Sequence, residues 1–255
     1  MPSGIREWLD TATIDQNQIG LSSASVYRCS NIGGSQRSAF LKLDTMGALQ
    51  REVEVIQWLQ GKLPVPVVYA YESSDTTDYL LMSELKGTHG ASSVWIEKPE
   101  LLVRAYAEGL KKIHAVDCSD CPWDAGLAFK MKQARAVVTD GKLNMDLLED
   151  QYKPYTAEQL WALLEQRIPA DEDLVFTHGD YCLPNIILAS DCTCSGFIDW
   201  GRAGIADRYQ DIALAVRSLK HNGLGNYTDM FLQSYGVTDA NLEKIEFYIL
   251  LDEFF

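Results

Sequence analysis

The sequence has no apolar run that approaches the length of a membrane span, and it has few basic residues for its acidic content. Its 255 residues include 22 Lys and Arg against 36 Asp and Glu, a formal net charge of -14. Nucleic-acid binding needs clustered cationic groups, so this balance argues against a nucleic-acid partner. An acidic cleft would attract a cationic small molecule, although excess acid also simply keeps a protein soluble. Residues 1–18 mix charged residues into an amphipathic pattern unlike a signal peptide, so we expect a cytoplasmic protein with no membrane partner.

Two glycine-rich phosphate-binding patterns are also missing. The P-loop pattern G-x-x-x-x-G-K-[ST] occurs nowhere in the chain, which excludes that class of kinases. Residues 18–28 predict a strand, a polar turn and a strand, but the turn lacks the repeated glycines of G-x-G-x-x-G. Its small residues, Ser22 among them, leave backbone N–H groups able to approach phosphates. On its own this segment indicates a plain hairpin turn, and only its context favours a phosphate-covering loop.

The most informative stretch, residues 174–201, contains two short apolar runs separated by a polar turn, a pattern typical of a β-hairpin. Asp180 and Asn185 stand just before the first predicted strand, and Asp199 follows the second. A hairpin brings its flanks together, so we expect these three side chains to converge. Protein kinases carry H-R-D-x-x-x-x-N followed by D-F-G, and here H-G-D-x-x-x-x-N is followed by D-W-G after a strand-sized gap.

This spacing favours phosphoryl transfer from a nucleotide, in which the protein supplies positioning and charge neutralisation. Asp180 would accept the proton of the attacking hydroxyl, while Asn185 and Asp199 would hold Mg2+ on the phosphates. Taken singly, each of the three is better explained as a turn or loop residue. The three together, at this spacing and with a strand between them, favour a site.

The N-terminal part predicts a small β-rich lobe. Ala39–Leu43 is an apolar strand interrupted by Lys42, a lysine that either snorkels from an edge strand or is held by an anion. Residues 45–60 carry apolar residues at helical spacing, and Gly61 ends the predicted helix. Glu52 lies on that helix. In kinases a strand lysine paired with a helix glutamate contacts the nucleotide phosphates, and the alternative for Glu52 is a solvated helix face.

The C-terminal part is predicted to be mainly helical, with helices over residues 99–115, 130–138, 156–165, 207–219 and 242–251. His114, near the end of the first of these helices, is predicted to cap or pack rather than to catalyse. Asp146, Glu149 and Asp150 follow an i, i+3, i+4 spacing, so we expect them to share one helical face. That face is either a solvated acidic surface or a docking wall for ammonium groups.

With these residues in view, the chain resembles the aminoglycoside phosphotransferases, and within them the 3'-phosphotransferase (kanamycin kinase) group. The resemblance covers nearly the whole length. The motifs that carry it are H-G-D-Y-C-L-P-N (178–185), G-F-I-D-W-G-R (196–202), D-R-Y-Q-D-I-A (207–213), G-K-L-P-V-P (61–66), L-L-M-S-E (80–84) and L-D-E-F-F (251–255). Together these motifs are far more specific than a kinase motif alone.

The resemblance implies a role for each matching position. Asp180 would be the catalytic aspartate, with Asn185 and Asp199 on Mg2+. The nucleotide-binding positions would be Ser22 in the phosphate-covering loop, Phe40 against adenine, Lys42 braced by Glu52 on the α- and β-phosphates, Met82 with the backbone of Ser83 to Leu85 as a hinge, and Ile198 beneath the base. The antibiotic's ammonium groups would meet Asp146, Glu149, Asp150, Glu253 and the carboxylate of Phe255, with Arg202 and Arg217 positioning this acidic network.

The sequence therefore predicts an α+β, two-lobed protein-kinase-like fold, with a β-rich nucleotide-binding lobe in residues 1–86 and a larger, mainly helical catalytic and aminoglycoside-binding lobe in residues 87–255. The predicted activity is transfer of the ATP γ-phosphoryl group to the 3'-hydroxyl of aminoglycosides such as kanamycin and neomycin, which confers resistance. One alternative is a kinase of the same fold that acts on a macrolide, choline or an amino alcohol. Another is a catalytically inactive nucleotide-binding module. His221 stands where some relatives have an acid, which bears on the substrate spectrum.

Overall fold

The structure is a computed structural model that describes residues 1–17 and 24–255. The first elements in chain order are α1 (Ser3–Leu9), β1 (Thr13–Asn17), β2 (Ser25–Ile32), β3 (Arg37–Thr45), α2 (Gln50–Leu59), β4 (Val68–Ser73), β5 (Thr77–Ser83) and β6 (Thr88–His89). The next are α3 (Ser93–Ile96), α4 (Pro99–His114), α5 (Leu127–Thr139), α6 (Ala157–Gln166) and β7 (Leu174–Thr177). The last are β8 (Ile186–Leu188), β9 (Cys194–Phe197), β10 (Gly204–Asp207), α7 (Arg208–His221), α8 (Thr228–Tyr235) and α9 (Leu242–Asp252).

The described chain divides into two compact units that do not follow the sequence continuously. The first unit consists of Met1–Ser92 together with Pro184–Arg202, and the second of Ser93–Leu183 together with Ala203–Phe255. The first unit is rich in strands and the second is mainly helical, as the α+β class predicts. The assignment of nucleotide binding to residues 1–86 and of catalysis to residues 87–255 stays a prediction. None of the described helices has the length and apolar character needed to cross a membrane.

The first unit is built on an antiparallel sheet with the strand order β1-β2-β3-β5-β4. Ala39 and Leu41 alternate along β3 and are buried, as expected for a strand with one covered face. Helix α1 buries Ile5 and Leu9 in the same apolar cluster, which also contains Leu81 of β5. This packing fixes β3 and β5, the two strands that carry half of the predicted nucleotide-binding residues.

Helix α2 begins later than the sequence predicted. The predicted start was Thr45, but that residue ends β3, and a turn separates it from the observed start at Gln50. The carboxylate of Asp78 accepts the Leu49 N–H at 3.0 Å, so the backbone of the turn is satisfied outside a helix. The predicted end is confirmed, because Gly61 follows the helix with a φ of 78°, a left-handed conformation that favours glycine.

The predicted hairpin in the central stretch is confirmed by β8 and β9, which pair antiparallel with Ile186 opposite Phe197. Strand β6 joins the other side of β8, giving the order β6-β8-β9. Gly87, which precedes β6, has a φ of 132°, and a Cβ atom there would lie 2.3 Å from the Leu188 carbonyl oxygen. Only glycine permits this approach, which brings the chain just before β6 against the backbone of β8.

The second unit places its helices around a short antiparallel pair, β7 and β10. The five predicted helices are confirmed as α4, α5, α6, α7 and α9, with small shifts at their ends. Asp207 ends β10 and caps α7, since its carboxylate accepts the Tyr209 N–H at 3.0 Å. Thr156 caps α6 in a capping box with Gln159. These caps explain why the chain turns into a helix where the sequence predicted one.

The predicted helical face in residues 144–150 is wrong, because this segment forms turns and no helix. The Asn144 side chain accepts the Asp146 N–H at 3.2 Å, a local bond that competes with helix formation. The Glu149 N–H donates to the side chain of Glu253 at 2.9 Å, so it too is bonded outside a helix. The acidic residues of this segment are consequently positioned by tertiary contacts.

Candidate active site

Lys42 of β3 forms two ion pairs within the first unit. Its Nζ lies 2.8 Å from Oε2 of Glu52 on α2 and 2.9 Å from Oδ1 of Asp199. The Lys42 and Glu52 side chains are almost fully buried, whereas that of Asp199 is 40% exposed. The expected pairing of a strand lysine with a helix glutamate is therefore observed. The contact of Lys42 with nucleotide phosphates stays a prediction.

The charges in this cluster shift one another's pKa. Burial opposes the charged form of Lys42, but the carboxylates of Glu52 and Asp199 outweigh burial and raise the pKa of Lys42. Burial also raises the pKa of Glu52; the positive charge of Lys42 lowers it in part, and the negative charge of Asp199 raises it again. Lys42 is therefore held as a cation beside a more exposed carboxylate, where it can meet an anionic ligand.

The β8–β9 hairpin brings Asn185 and Asp199 close together in the first unit. The N–H of Ile198, directly before Asp199, donates to the carbonyl oxygen of Asn185 at 3.0 Å. Asp199 has a φ of 66°, which is uncommon for a residue other than glycine and is found preferentially at functional sites. This backbone conformation orients the carboxylate that reaches Lys42.

The donor groups of Asn185 and Asp199 fit Mg2+ as part of a ligand set. Magnesium prefers oxygen ligands and is usually held by one or two protein groups together with substrate phosphates and water. Among the residues that the structure describes, no group of three or more His, Cys, Asp or Glu side chains could hold a metal ion. A single amide and a single carboxylate therefore fit Mg2+ only if phosphate oxygens complete its coordination.

The residues expected to hold the base lie on β3, on β5 and just after β5. Phe40 lies opposite Met82 in the register of β3 and β5. The Ser83 N–H donates to the Val67 carbonyl oxygen at 2.8 Å, and the Ser83 hydroxyl accepts the Val67 N–H at 2.9 Å. This end of β5 is therefore fixed. A base at this position would meet the Ser83 carbonyl group rather than its N–H group.

The segment after β5 packs on the hairpin of the same unit. Leu85 lies over Gly196, where a Cβ atom would come within 2.7 Å of Leu85 Cδ1. Ile198 follows Gly196 by two residues and is half-buried. The predicted phosphate-loop residue Ser22 lies outside the described residues.

In the second unit, the backbone before Asp180 is anchored by a buried carboxylate. The N–H groups of His178 and Gly179 donate to Asp211 of α7 at 2.7 and 2.8 Å. Gly179 has a φ of 83°, so the turn into Asp180 uses a conformation that favours glycine. The Asp180 N–H donates to Nδ1 of His178 at 3.3 Å, and the Asp180 residue remains partly exposed.

The backbone after Asp180 is anchored as well. The hydroxyl of Tyr106 donates to the carbonyl oxygen of Tyr181 at 2.9 Å. In return, the hydroxyl of Tyr181 donates to the carbonyl oxygen of Tyr106 at 2.7 Å. The two rings stack with centroids 4.6 Å apart. The Leu183 N–H donates to the Ser218 hydroxyl at 2.9 Å. The loop is therefore fixed on both sides of a partly exposed carboxylate, as a positioned general base requires.

The three residues of the central motif belong to different units. Asn185 and Asp199 lie in the first unit, and Asp180 lies in the second. Their predicted convergence on one nucleotide stays a prediction.

Arg217 of α7 gathers three carboxylates near the C-terminal helix. It forms ion pairs with Asp252 and, at 3.4 Å, with Glu253, and it lies 3.9 Å from Glu149. His221 Nε2 lies 3.3 Å from Oε1 of Glu149. We call Glu149, Asp252 and Glu253 the acidic cluster. Three carboxylates against one guanidinium leave this cluster with negative charge for a cationic ligand.

Within the acidic cluster, burial and a neighbouring negative charge raise the pKa of Glu253. Burial raises the pKa of Glu253, the N–H of Glu149 opposes this, and the negative charge of Glu149 raises the pKa further. Burial also opposes the charge of Arg217, but Asp252 and Glu253 outweigh burial and raise the pKa of Arg217. A bound ammonium group would relieve the repulsion between the carboxylates.

The expected substrate-binding residues are only partly gathered. Glu149, Glu253 and Arg217 contact one another as described. Asp150 is exposed and pairs with Lys153 at 2.6 Å. The hydrogen bond from Lys153 and its charge lower the pKa of Asp150.

Three further residues were expected to bind substrate. Asp146 is exposed in a turn. The Phe255 ring is 40% exposed, and Nζ of Lys130 lies 5.2 Å from its centroid. Arg202 ends the segment that belongs to the first unit. Its predicted role with the acidic cluster stays a prediction.

Two acidic residues that make contacts described above, Asp252 and Asp211, were not predicted from the sequence to have a role. Asp252 directly precedes Glu253 in the L-D-E-F-F motif, and this adjacency was an available signal. Asp211 lies on an otherwise apolar stretch of α7 and is fully buried. A buried carboxylate needs partners, so an acid on the apolar face of a predicted helix could have indicated an anchoring role.

These elements are typical of a phosphotransferase of protein-kinase-like fold, and comparison with known proteins agrees. Residues 18–248 match the model of the family described as "Phosphotransferase enzyme family". An aminoglycoside 3'-phosphotransferase from Niallia circulans is 41% identical over 258 residues, which cover 100% of this chain and 97% of the relative. The chain belongs to the phosphotransferase enzyme family.

Solved structures agree with the fold. The crystal structure of an aminoglycoside-3'-phosphotransferase of type VIII aligns with a TM-score of 0.84 and 35% identity, over 95% of this chain and 94% of that chain. Aminoglycoside phosphotransferase APH(3'')-Id from Streptomyces rimosus, in complex with ADP and streptomycin, aligns with a TM-score of 0.81 and 25% identity. The alignment covers 98% of this chain and 96% of that chain. The predicted protein-kinase-like α+β fold is confirmed.

Proposed function

We propose that this protein transfers the γ-phosphoryl group of ATP to the 3'-hydroxyl of aminoglycoside antibiotics such as kanamycin and neomycin, and so confers resistance. The observation that carries the proposal is the 41% identity, over the whole chain, to an aminoglycoside 3'-phosphotransferase. The structural similarity to a type VIII aminoglycoside-3'-phosphotransferase supports the same substrate class. ADP in the Streptomyces rimosus complex supports a nucleoside triphosphate as phosphoryl donor.

The first unit would bind the nucleotide. Lys42, held as a cation by Glu52, would contact the α- and β-phosphates. Phe40 would stack on adenine, and the backbone after Met82 would hydrogen-bond the base. The other predicted nucleotide contacts are Ser22, Ser83, Leu85 and Ile198. The Ser83 N–H already donates to the Val67 carbonyl oxygen. The Ser83 carbonyl oxygen is therefore the backbone group on that residue that would accept a hydrogen bond from the adenine amino group.

Asn185 and Asp199 would hold Mg2+, which neutralises phosphate charge and fixes the phosphates when it is bound. Asp180 would accept the proton of the 3'-hydroxyl as that oxygen attacks the γ-phosphorus atom. The bond between the γ-phosphorus and the bridging oxygen then breaks, and that oxygen leaves on ADP. The anchored backbone around Asp180 supports this role, since general-base catalysis depends on a fixed geometry.

The acidic cluster would bind ammonium groups of the antibiotic. Each ammonium group that meets a desolvated carboxylate forms a charge-assisted hydrogen bond, which is stronger than a neutral one. The predicted contacts are Asp146, Glu149, Asp150, Glu253 and the carboxylate of Phe255, with Arg202 and Arg217 as positioning residues. Asp252 joins them through its ion pair with Arg217.

The same proposal extends to partners and location. The net charge of -14 supports the absence of a nucleic-acid partner. The need for ATP supports a cytoplasmic location.

The proposal is tested by a pair of substrates that differ in one oxygen atom. Kanamycin B has a 3'-hydroxyl, and its 3'-deoxy analogue lacks it but keeps the same ammonium groups. We expect ADP release with kanamycin B and none above background with the 3'-deoxy analogue, which should instead inhibit competitively. The measurement is a coupled ADP assay, with the product's phosphorylated position assigned by NMR. Equal turnover of both compounds would overturn the 3'-assignment.

We expect the KM for kanamycin to rise more steeply with salt than the KM for ATP. Salt screens exposed charges more than buried ones, and the Glu149 side chain is 22% exposed whereas the Lys42 side chain is 9% exposed. Between about 0.05 and 0.5 M NaCl, the KM for kanamycin should rise roughly 3- to 10-fold. The measurement is steady-state kinetics at fixed saturating co-substrate. Equal salt dependence of the two KM values would argue against ammonium binding at the acidic cluster.

A further inference from the structure

Arg28 of β2 forms a two-point ion pair with Glu84, the residue that follows Ser83 in the segment after β5. Its Nε lies 2.9 Å from Oε1 of Glu84, and its Nη2 lies 3.0 Å from Oε2. The same guanidinium group donates to the hydroxyls of Ser30 and Ser38, at 3.3 Å each. An exposed pair of charges usually contributes little to stability, but a bidentate pair within a network of hydrogen bonds holds both side chains in one geometry.

The register of the sheet places this ion pair on the face that carries Phe40. Arg28 lies directly opposite Phe40 between β2 and β3, and Phe40 lies opposite Met82 between β3 and β5. Residues directly opposite each other in an antiparallel sheet share a face. Lys42 is on that face as well, because it follows Phe40 by two residues. The pair with Glu84 is therefore on the same side of the sheet as the residues expected to contact the base and the phosphates.

Glu84 also determines the direction of the peptide group that joins it to Ser83. The Glu84 N–H donates to the Ser38 carbonyl oxygen on β3 at 3.3 Å. The N–H and C=O groups of one trans peptide point in opposite directions, so the Ser83 carbonyl points away from β3. The bond to Ser38 is long for an N–H···O contact. The ion pair with Arg28 is thus a second attachment of Glu84 to the same side of the sheet.

We propose that Arg28 and Glu84 are positioning residues for the nucleotide base: their ion pair holds the Ser83 carbonyl where it accepts a hydrogen bond from a 6-amino group, and so favours ATP over GTP. Adenine presents an amino donor at position 6, whereas guanine presents an oxygen acceptor there. Two acceptors that face each other leave both groups without a proton, which weakens binding. The inference rests on the proposed function, in which the backbone after Met82 binds the base.

Two substitutions break the ion pair and leave the backbone bonds of the sheet in place. Arg28→Met keeps the aliphatic length of the side chain and removes the guanidinium group, and Glu84→Gln keeps the shape but removes the charge. The matched control is Asp15→Asn. Asp15 is exposed and lies directly opposite Arg28 on β1, the neighbour of β2 on the side away from β3. This control removes a carboxylate close to Arg28 without touching Glu84.

We expect Arg28→Met to raise the KM for ATP about 3- to 10-fold, the effect of one weakened hydrogen bond, with kcat within about twofold of the parent. Glu84→Gln should give a smaller rise, because the amide still accepts one hydrogen bond from Arg28. The KM for GTP should stay within about twofold in both variants, and Asp15→Asn should change neither KM by more than about 1.5-fold. The measurement is steady-state kinetics at saturating kanamycin. Equal rises in the two KM values, or no rise for ATP in Arg28→Met, would contradict the positioning role.

Purine riboside diphosphate separates positioning of the carbonyl from a general loosening of the strand. It is ADP without the 6-amino group, so it cannot donate to the Ser83 carbonyl. Calorimetric titration should show that Arg28→Met weakens ADP binding about 3- to 10-fold and leaves the binding of purine riboside diphosphate within about 1.5-fold. If Arg28→Met weakens both diphosphates by the same factor, the ion pair has only a structural role and the inference is overturned.

The titrations need no antibiotic, so they also distinguish a failure of the inference from a failure of the proposed function. If the parent binds ADP but phosphorylates no aminoglycoside, the proposed function is wrong, and the two diphosphates still decide the role of Arg28. If the parent phosphorylates kanamycin and Arg28→Met binds ADP as the parent does, the inference alone is wrong. If the parent binds neither diphosphate, both are wrong.

Discussion

Replacing Asp180 by Asn should lower kcat for kanamycin phosphorylation by about 10²- to 10⁴-fold, the usual contribution of a positioned general base. Asn has the same shape as Asp but cannot accept the proton of the attacking hydroxyl as a carboxylate does. The bonds that anchor the N–H groups of His178 and Gly179 run to Asp211 and not to the Asp180 carboxylate. We therefore expect the variant to fold and to bind ADP as the parent does.

The matched control for this prediction is Asp191→Asn. Asp191 lies in the turn of the β8–β9 hairpin, where its carboxylate accepts the Thr193 N–H at 3.0 Å. An Asn side chain can make the same turn contact, so kcat should change by less than about twofold. Steady-state assays and calorimetric ADP titration on both variants are the measurements. Near-parental kcat in Asp180→Asn would remove Asp180 from the role of general base.

Replacing Lys42 by Ala should destabilise the protein by about 3–5 kcal/mol and abolish most ATP turnover. The substitution leaves Glu52 buried without its cation. Removing one partner of a buried ion pair typically lowers the free energy of unfolding by about this amount. The loss of a cation at the phosphates should also raise the KM for ATP. Urea unfolding and steady-state kinetics measure the two effects separately.

The loss of stability in Lys42→Ala should depend on pH. Burial raises the pKa of Glu52, so the folded chain binds this proton up to a higher pH than the unfolded chain does. The stability that the proton contributes is present at low pH and is lost as the pH rises through the folded pKa. Without Lys42 that pKa rises further, and Glu52 is neutral over a wider range. The deficit relative to the parent should therefore be larger at about pH 8 than at about pH 5.5.

A second substitution tests the cause of this deficit. Lys42→Ala combined with Glu52→Gln removes the buried charge and should recover much of the lost stability, but no activity. A double variant as unstable as Lys42→Ala at about pH 8 would show that the uncompensated charge of Glu52 does not cause the deficit.

The parts of the site that the sequence predicted are those with a local pattern. Lys42 interrupts an apolar strand, and Glu52 lies on the predicted helix that follows it. Their pairing could therefore be expected and is observed. The hairpin was predictable because two apolar runs flank a turn. Asp199 was recognisable because it follows the second run at kinase spacing.

The contacts that escaped prediction join residues far apart in the chain. The Glu149 N–H donates to the side chain of Glu253, which lies 104 residues later in the sequence. No local pattern indicates this contact. The spacing of Asp146, Glu149 and Asp150 favoured a helix, but side-chain to backbone bonds hold that segment as turns. His114 was predicted to cap or pack, because a single histidine near a helix end gives no sign that its two ring nitrogens will contact side chains of α7 and α8.

The discontinuous make-up of the first unit has a consequence for how the protein is made. Strand β6 pairs with β8, about a hundred positions later in the chain, and Lys42 pairs with Asp199, 157 positions later. A ribosome that has released only the N-terminal segment has not yet supplied those partners, and the emerging chain would keep an uncovered strand edge and a buried cation lacking one carboxylate. Fragments that end near residue 92 should therefore fail to fold as this unit does. A circularly permuted chain whose new ends lie outside the unit should still fold it.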